Sequence, residues 1–250
     1  SSDVCSSDLV FFVIPYIRVL YYSLIDNQFR RNFVGLGNYE KTLNNEYFLL
    51  ALKNSLLLIV ICVPILLLLA LLISLVLSFG IRAVRRTRAA FVLPMVIPTA
   101  SIVIIWRSVF AANETVLPLY LLFVWKNIGI CIVLLTAAFT GIDGNIFEAA
   151  KLDGAGTFTL HRKITVPMIM PTLLFTALLS VVNSFKIFKE SYLYYGSNYP
   201  PEHSYTLQYY MNNNFLKLDY QSLATSAVMT SLIVFLIVIT GMAVQRRWDK

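Results

Sequence analysis

Charged residues are scarce in this sequence, and their scarcity excludes an ordinary soluble protein. Only 13% of the 250 residues are Asp, Glu, Lys or Arg, whereas soluble domains carry about 25%. Hydrophobic residues make up 58% and the mean hydropathy is +0.73, values typical of a protein that spans a lipid bilayer. The net charge of +7 does not indicate nucleic-acid binding, because much of the Lys and Arg lies between and beside apolar runs.

Residues for covalent, metal or nucleotide chemistry are also missing or isolated. Cys62 and Cys131 lie inside apolar runs, and no pair of cysteines has the spacing of a metal site or a disulfide. The two histidines, His161 and His203, fall in loops on opposite sides of the predicted membrane. No G-x-x-x-x-G-K-S/T sequence for binding nucleotide phosphates is present. We therefore expect no catalytic, cofactor-binding or metal site in this chain.

Long apolar runs predict an all-α membrane protein with six transmembrane helices. A spanning helix needs about 20 mostly apolar residues, and the prolines within these runs favour a packed bundle over isolated anchors. The repeated Ser-Ser-Asp within residues 1–8 predicts a truncated or non-native segment, which we exclude from the fold prediction; a genuine polar amino-terminal tail is the alternative. The predicted spans are residues 9–25, 55–79, 89–110, 117–139, 167–188 and 223–244.

The short connections predict the orientation, because Lys and Arg are enriched on the cytoplasmic side. Residues 81–88 carry four arginines and no acid, and the tail 246–250 is also basic, so both should face the cytoplasm. Residues 111–116 carry Glu114 and no base, so they should face outward. Residues 28–53 are basic yet must lie outside, and here we give the shorter connections more weight. Both termini are therefore predicted to be cytoplasmic.

A short charged segment between the fourth and fifth runs has a distinctive spacing. Within residues 148–167, a Glu-Ala-Ala triplet is followed after three residues by Gly154, after nine more by Ile164, and then by Pro167. Gly154 should end a short surface helix, and Pro167 should lie in the first turn of the next span. The alternative is an ordinary amphipathic turn whose bases contact lipid phosphates.

This spacing resembles the cytoplasmic coupling loop of permease subunits in ATP-binding-cassette (ABC) importers. Val166 replaces the usual Leu, and Asp143 stands where a Pro commonly precedes the helix. The resemblance implies the type I importer permease fold, with residues 9–50 as first helix and external loop, 51–245 as transmembrane domain and 141–166 as coupling loop. The residues that it implies for coupling to an ATPase subunit are Glu148, Ala149, Ala150, Asp153, Gly154, Ile164 and Pro167.

The same resemblance implies a non-catalytic, multi-pass subunit of a bacterial cytoplasmic-membrane transporter. Its partners would be a second homologous permease, two ABC ATPase subunits, an extracytoplasmic solute-binding protein and membrane lipid, with no nucleic acid. ATP would bind to the ATPase subunits, and this chain would need no cofactor of its own.

Three further segments resemble motifs of carbohydrate-importing permeases. They are FVGLGNY at residues 33–39, WKNIG at 125–129 and SFKIFKE at 184–190, and they imply a carbohydrate substrate. The connector 111–116 is shorter than is usual in that group, which reduces the surface that would meet a binding protein.

The alternative to a carbohydrate permease is a permease of the same type for an amino acid or a peptide. A secondary transporter is a weaker rival, because the predicted spans contain almost no Asp or Glu.

Polar residues inside spans are costly and mark candidate substrate paths. Lys126 and Lys186 can instead extend their ammonium groups to the interface, and Asn183 can instead bond a neighbouring helix. Residues 192–220 are rich in Tyr and Asn, which predicts an aromatic belt at the headgroup level and, alternatively, contact with sugar or with the binding protein. The candidates for the path are Asn183, Ser184, Trp106, Trp125, Lys126 and Thr230.

Overall fold

The computed structural model describes residues 2–79, 88–110 and 114–248, and the regular structure in these ranges is helical apart from an isolated bridge between Ile25 and Phe33. One π-helical turn, His161–Thr165, and one 3-10 turn, Glu202–Ser204, accompany the α-helices of these ranges. The α-helices are α1 (Ser2–Ser23), α2 (Gly37–Leu43), α3 (Glu46–Phe79), α4 (Arg88–Val96), α5 (Thr99–Val109), α6 (Leu117–Thr140), α7 (Gly144–Leu152), α8 (Thr157–Leu160), α9 (Val166–Ser184), α10 (Phe188–Tyr195), α11 (Leu207–Leu216) and α12 (Tyr220–Trp248).

The chain forms two compact units. The first unit joins the residues up to Leu56 with Tyr195–Leu236, and the second joins Leu57–Tyr194 with the chain from Ile237 onward. The long helices α3 and α12 therefore each contribute to both units.

Four described helices are long and apolar enough to cross a membrane. They are Glu46–Ser78, Leu117–Thr140, His161–Ser184 and Tyr220–Ala243, and they correspond to the second, fourth, fifth and sixth predicted runs. The first predicted run yields a shorter apolar helix, Val10–Ser23. Long apolar helices are thus confirmed for four of the six runs.

The prediction of one continuous helix over residues 89–110 is wrong. The chain there forms two helices, Ala90–Val96 and Thr99–Val109, bent by 105°. Pro98 lies at the break with an extended backbone (φ −55°, ψ 130°). It lacks the N–H that would continue the helical bonds, and it disfavours helical geometry at Ile97. The third run is therefore a bent pair, which counts as a fifth span only if both helices are taken together.

Two predicted boundaries also move. Helix α3 begins at Glu46 rather than at residue 55, because Asn45 caps it. The Oδ1 atom of Asn45 accepts hydrogen bonds from the backbone N–H groups of Tyr47 (3.0 Å) and Phe48 (3.1 Å). The fifth span ends at Ser184 rather than at residue 188. Charged residues begin shortly after it. A charged side chain is costly inside the apolar layer of the membrane, so the span ends before these residues.

The FVGLGNY motif fixes the end of α1 within the first unit. Asn38 Nδ2 donates hydrogen bonds to the backbone oxygens of Ser23 (3.0 Å) and Ile25 (2.8 Å). The hydroxyls of Tyr39 and Ser23 lie 2.7 Å apart. The motif thus satisfies backbone groups that a helix end leaves unpaired.

The predicted aromatic belt is wrong for the centre of residues 192–220. Tyr205, Tyr209 and Tyr210 are buried within the protein, whereas a belt residue would face the headgroups. Their rings pack on each other and on α3: Tyr205 stacks on Tyr209 at 5.9 Å between centroids, and Tyr210 meets Phe48 edge-on at 5.4 Å. These tyrosines therefore form a protein core.

A glycine in the WKNIG motif allows α6 to approach α4 closely in the second unit. A Cβ atom built on Gly129 would lie 2.0 Å from the backbone oxygen of Phe91. Apolar side chains of α3, α6 and α9 form the core cluster, which includes Leu66, Leu135 and Ile169, and Phe91 of α4 packs against it. Close backbone approach at small residues is the usual way in which membrane helices pack.

Candidate functional site

The charged side chain of Lys126 joins three helices of the second unit. Its ammonium group pairs with the Glu190 carboxylate on α10 and donates a hydrogen bond to Thr99 Oγ1 at the start of α5 (2.7 Å). The side chains of Lys126 and Glu190 are only 20% and 13% exposed. The charge of Lys126 is therefore compensated by Glu190, and both side chains are mostly covered by the protein.

Two adjoining cavities lie beside this ion pair, and together we name them the interhelix cavity. Their volumes are about 200 and 230 Å³, and both are lined by Met95, Lys126, Asn127 and Asn183. Thr176 and Ser180 line only the first, and Lys186 and Glu190 only the second. The cavity thus combines amides, hydroxyls, a compensated charge pair and the exposed side chain of Lys186.

The two amides of the interhelix cavity contact each other. Asn183 Nδ2 donates to Asn127 Oδ1 (3.3 Å), and Asn127 Nδ2 donates to the backbone oxygen of Phe123 (2.9 Å). The predicted alternative that Asn183 bonds a neighbouring helix is therefore observed. Because each side-chain amide carries two donors and two acceptor sites, both retain hydrogen-bonding capacity toward the cavity.

Other predicted path residues occupy different places. Ser184 and Thr230 donate their hydroxyls to backbone oxygens of their own helices, Val181 (2.6 Å) and Ser226 (2.7 Å), as is common for hydroxyls in apolar helices. Ser184 is buried without lining the interhelix cavity, and Thr230 belongs to the other unit.

The two predicted path tryptophans form a pair. Trp106 and Trp125 stack with ring centroids 5.6 Å apart and ring planes at 30°. Trp106 Nε1 also donates to the backbone oxygen of Pro118 (2.8 Å). Neither residue lines the interhelix cavity. Their stacking instead holds α5 against the start of α6.

The segment with the Glu-Ala-Ala triplet forms helix α7 and a glycine turn. Asp143 Oδ1 accepts the backbone N–H of Asn145 (3.0 Å) at the start. At the end, the Ala155 N–H donates to the Ala150 oxygen (3.0 Å) while Gly154 adopts a φ of +76°. This arrangement is the Schellman motif, which requires a left-handed residue at the position of Gly154.

Helix α7 presents an exposed face. Glu148, Ala149 and Asp153 are exposed, and the side chain of Leu152 is 90% exposed, while Ala150 is buried. The end of α7 thus exposes an apolar side chain next to acidic residues.

The glycine turn leads into the fifth span through irregular helix. After α8, the π-helical turn His161–Thr165 runs directly into α9, and Ile164 in that turn is half-buried. Pro167 lies in the first turn of α9, as predicted.

The family of proteins described as "Binding-protein-dependent transport system inner membrane component" matches residues 48–250. The chain belongs to this family. The matched residues contain α7, its glycine turn and the whole interhelix cavity. The protein is thus a membrane permease subunit of a binding-protein-dependent importer.

Several relatives of this permease are named for the solutes that they transport. The osmoprotective compounds uptake permease protein GgtC of Synechocystis sp. is 30% identical over 217 residues, which are 75% of this chain and 77% of that protein. The arabinooligosaccharides transport system permease protein AraP of Bacillus subtilis is 29% identical over 93% of this chain and 82% of its own length. The lactose transport system permease protein LacF of Rhizobium radiobacter is 28% identical over 82% of this chain and 78% of its own length.

Solved structures show the fold of this permease. A chain of a bacterial ABC transporter involved in the import of the acidic polysaccharide alginate matches with a TM-score of 0.77 at 21% identity, covering 99% of this chain and 94% of that chain. A chain of the bacterial alginate ABC transporter in complex with an alginate pentasaccharide-bound periplasmic protein matches with a TM-score of 0.76 at 20% identity. This match covers 99% of this chain and 93% of that chain. The permease therefore has the type I ABC importer fold.

The site contains permease residues that the sequence did not nominate. Glu190 and Asn127 lie in the SFKIFKE and WKNIG motifs, and neither they nor Thr99 are among the site residues that the sequence predicts. The missed signal is that Lys126 is the lone charge of the fourth span and Glu190 follows the fifth closely. A charge in an apolar setting requires a partner.

Proposed function

We propose that this permease subunit passes an uncharged sugar through the interhelix cavity by alternating access. The observation that carries the proposal is the cavity wall, where the amides of Asn127 and Asn183 lie side by side while the charge of Lys126 is already paired with Glu190. Amides donate to and accept from hydroxyls. A polyhydroxylated solute without charge can use such a wall without breaking the ion pair.

The relatives support a carbohydrate as the solute. The names of AraP and LacF refer to arabinooligosaccharides and lactose. GgtC is named for osmoprotective compounds, so the alternative is the same type of permease for another small solute. Uptake by a deletion strain, with radiolabelled neutral sugars, amino acids and peptides as separate probes, distinguishes the two.

We propose the following assembly around the cavity. The chain pairs with a second permease, two ATPase subunits that bind ATP, and an external solute-binding protein, in the cytoplasmic membrane of a bacterium. The helix α1, whose apolar part is Val10–Ser23, and the bent pair α4–α5 complete six crossings. Both chain termini then lie in the cytoplasm. The basic residues 81–88 and 246–250 support this orientation. The chain itself binds no cofactor and performs no catalysis.

Replacing Asn183 with alanine should slow sugar uptake by about two- to tenfold, because one hydrogen bond to a sugar hydroxyl contributes about 0.5–1.5 kcal/mol. The basal ATPase activity of the assembled transporter should remain near normal. Both are measured on transporter complexes in proteoliposomes. Asn212→Ala is the matched control, because Asn212 lies on α11 and does not line the interhelix cavity. An uptake rate for Asn183→Ala equal to that of the control would remove Asn183 from the path.

We propose further that helix α7 is the surface that docks on the ATPase subunit. Its exposed residues Glu148, Ala149, Leu152 and Asp153 offer a small apolar and acidic patch. Movement of α7 would pass through the turn at Gly154 and the π-helical turn into Pro167 and α9. Ala150, Gly154 and Ile164 hold the geometry of this connection.

Replacing Gly154 with valine should weaken binding of the ATPase subunit by about five- to thirtyfold. A β-branched residue at φ +76° costs roughly 1–2 kcal/mol, and the turn relaxes by displacing the end of α7. The measurement is the amount of ATPase subunit that co-purifies with the permease from membranes.

Gly156→Val is the matched control for this variant. Gly156 is exposed, its Cβ position meets no atom within 4 Å, and its φ is not in the left-handed region. Equal co-purification with the Gly154 and Gly156 variants would contradict the proposed role of the glycine turn.

A further inference from the structure

A second cavity lies within the first unit, and we name it the tyrosine cavity. Its volume is about 340 Å³, and it is lined by the start of α3, by residues 199–205 and by α11. Ligand pockets in proteins usually measure roughly 300–1,000 Å³. The tyrosine cavity is therefore large enough to hold a small molecule.

Ring contacts and hydrogen bonds hold the floor of the tyrosine cavity in place. The ring of Tyr205 stacks on Tyr209 and meets Tyr47 edge-on, with centroids 6.4 Å apart. Asn54 Nδ2 donates to the backbone oxygen of Tyr205 (2.9 Å), and Ser55 Oγ accepts the backbone N–H of Leu207 (3.0 Å). A site held in this way loses little conformational freedom when a ligand binds.

Asn213 offers the cavity an unused acceptor. Its side chain lines the cavity and is only 5% exposed. Nδ2 donates to the backbone oxygen of Asn198 (3.1 Å) and to the hydroxyl of Tyr205 (3.2 Å). The carbonyl acceptor at Asn198 fixes the orientation of the amide. Oδ1 is buried and has no hydrogen-bond partner among the residues that the structure describes. A ligand hydroxyl can donate to it once the side chains that cover it shift.

The rim of the tyrosine cavity offers aromatic faces. Tyr47 and Tyr199 are each 67% exposed and line the cavity. Their rings can cover the apolar C–H surface of a ligand while their hydroxyls stay in water. The cavity thus places aromatic faces above and a buried acceptor below.

The lining carries little charge that would select an ion. Glu202 and Lys217 are of opposite sign and exposed. Burial raises the pKa of the Tyr205 and Tyr210 hydroxyls, so these phenols stay neutral at physiological pH. A ligand for this cavity is therefore uncharged and carries both hydroxyl donors and an apolar face.

We infer that the tyrosine cavity binds one ring of a neutral saccharide at the external face, apart from the interhelix cavity. The inference rests on the proposed function, in which residues 199–217 face the side from which sugar arrives. The ring stacks on Tyr199 or Tyr47, and one of its hydroxyls donates to Asn213 Oδ1. The cavity then holds sugar before it enters the path between the spanning helices.

Saturation-transfer NMR on the transporter complex, purified without the binding protein, tests this inference. The probes are D-glucose, L-arabinose, maltose and lactose, and the Asn183→Ala background separates this binding from binding in the interhelix cavity. At least one probe should show transfer to its ring C–H protons. Tyr199→Ala should weaken its binding about fivefold or more, because tyrosines in well-formed sites contribute strongly to affinity.

Two matched controls accompany these variants. Tyr21→Ala removes a partly exposed tyrosine of the same unit that does not line the cavity, and it should leave the binding within about twofold, as expected for a residue outside the contact region. Asn213→Leu should weaken binding and Asn212→Leu should not. If Asn213→Leu fails to fold, Tyr199→Ala alone decides, because its exposed side chain supports no core packing.

Absence of transfer with every probe would overturn the inference, as would binding equal in the Tyr199→Ala and Tyr21→Ala variants. A cavity that instead seats a side chain of the binding protein gives the first of these results. Uptake of radiolabelled sugar is measured separately. Normal uptake without saturation transfer rejects the tyrosine cavity alone, whereas uptake of no sugar at all rejects the proposed function.

Discussion

Replacing Lys126 with methionine should lower the thermal midpoint of the purified permease by about 5–10 °C, because removing one partner of a largely covered ion pair costs about 3 kcal/mol, the lower end of the range for fully buried pairs. Glu190 would remain as an uncompensated charge that is only 13% exposed, and Thr99 would lose the hydrogen bond from Lys126. Uptake should fall with stability, because the pair forms part of the interhelix cavity. The measurement is loss of the monodisperse chromatographic peak after heating in detergent, together with uptake in proteoliposomes.

A double variant separates the charge pair from ordinary packing. Lys126→Met combined with Glu190→Gln removes both charges, and replacing both partners is often nearly neutral, so the thermal midpoint should recover most of the loss. Lys189→Met is the matched control, since Lys189 is exposed and next to Glu190. A double variant no more stable than Lys126→Met would show that the pair does not hold α5, α6 and α10 together.

Composition and the lengths of apolar runs predicted the helical membrane class and four of the spans, because a bilayer requires long helices whose backbone groups are satisfied internally. The break at Pro98 was not predictable from the residue type. Pro64 and Pro171 remain inside α3 and α9, whereas Pro98 separates two helices. Whether a proline breaks a membrane helix depends on neighbours that re-satisfy the freed carbonyls, and these neighbours come from distant parts of the chain.

The site was predictable only in part, for a similar reason. Asn183 and Lys126 were identified because polar groups in spans are costly, and both line the interhelix cavity. The pairing of Lys126 with Glu190 joins residues that are 64 positions apart, and no periodicity links them. Ser184 and Thr230 were selected by residue type alone, but their hydroxyls bond to the preceding turn of their own helices. A hydroxyl in a helix often has this local partner, which the sequence does not reveal.

Replacing Gly129 with alanine should destabilise the permease by about 3 kcal/mol, at the upper end of the range for overpacking. The added Cβ would lie 2.0 Å from the backbone oxygen of Phe91 and 2.9 Å from its carbonyl carbon. Backbone atoms cannot rotate aside as a side chain does, so α4 must move away from α6. Met95 on α4 lines both parts of the interhelix cavity, so this movement should also reduce uptake.

Gly241→Ala is the matched control, because it makes the same chemical change in the spanning helix α12. Its Cβ would meet Leu178 Cδ2 at 2.7 Å, and the end of a leucine side chain can change rotamer at a cost of about 1 kcal/mol. The thermal midpoint should therefore fall several times more for Gly129→Ala than for Gly241→Ala. Equal shifts for the two variants would contradict the close crossing of α4 and α6. A Gly129→Ala permease of normal stability with normal uptake would show that α4 can retreat freely, and then the WKNIG glycine would have no packing role.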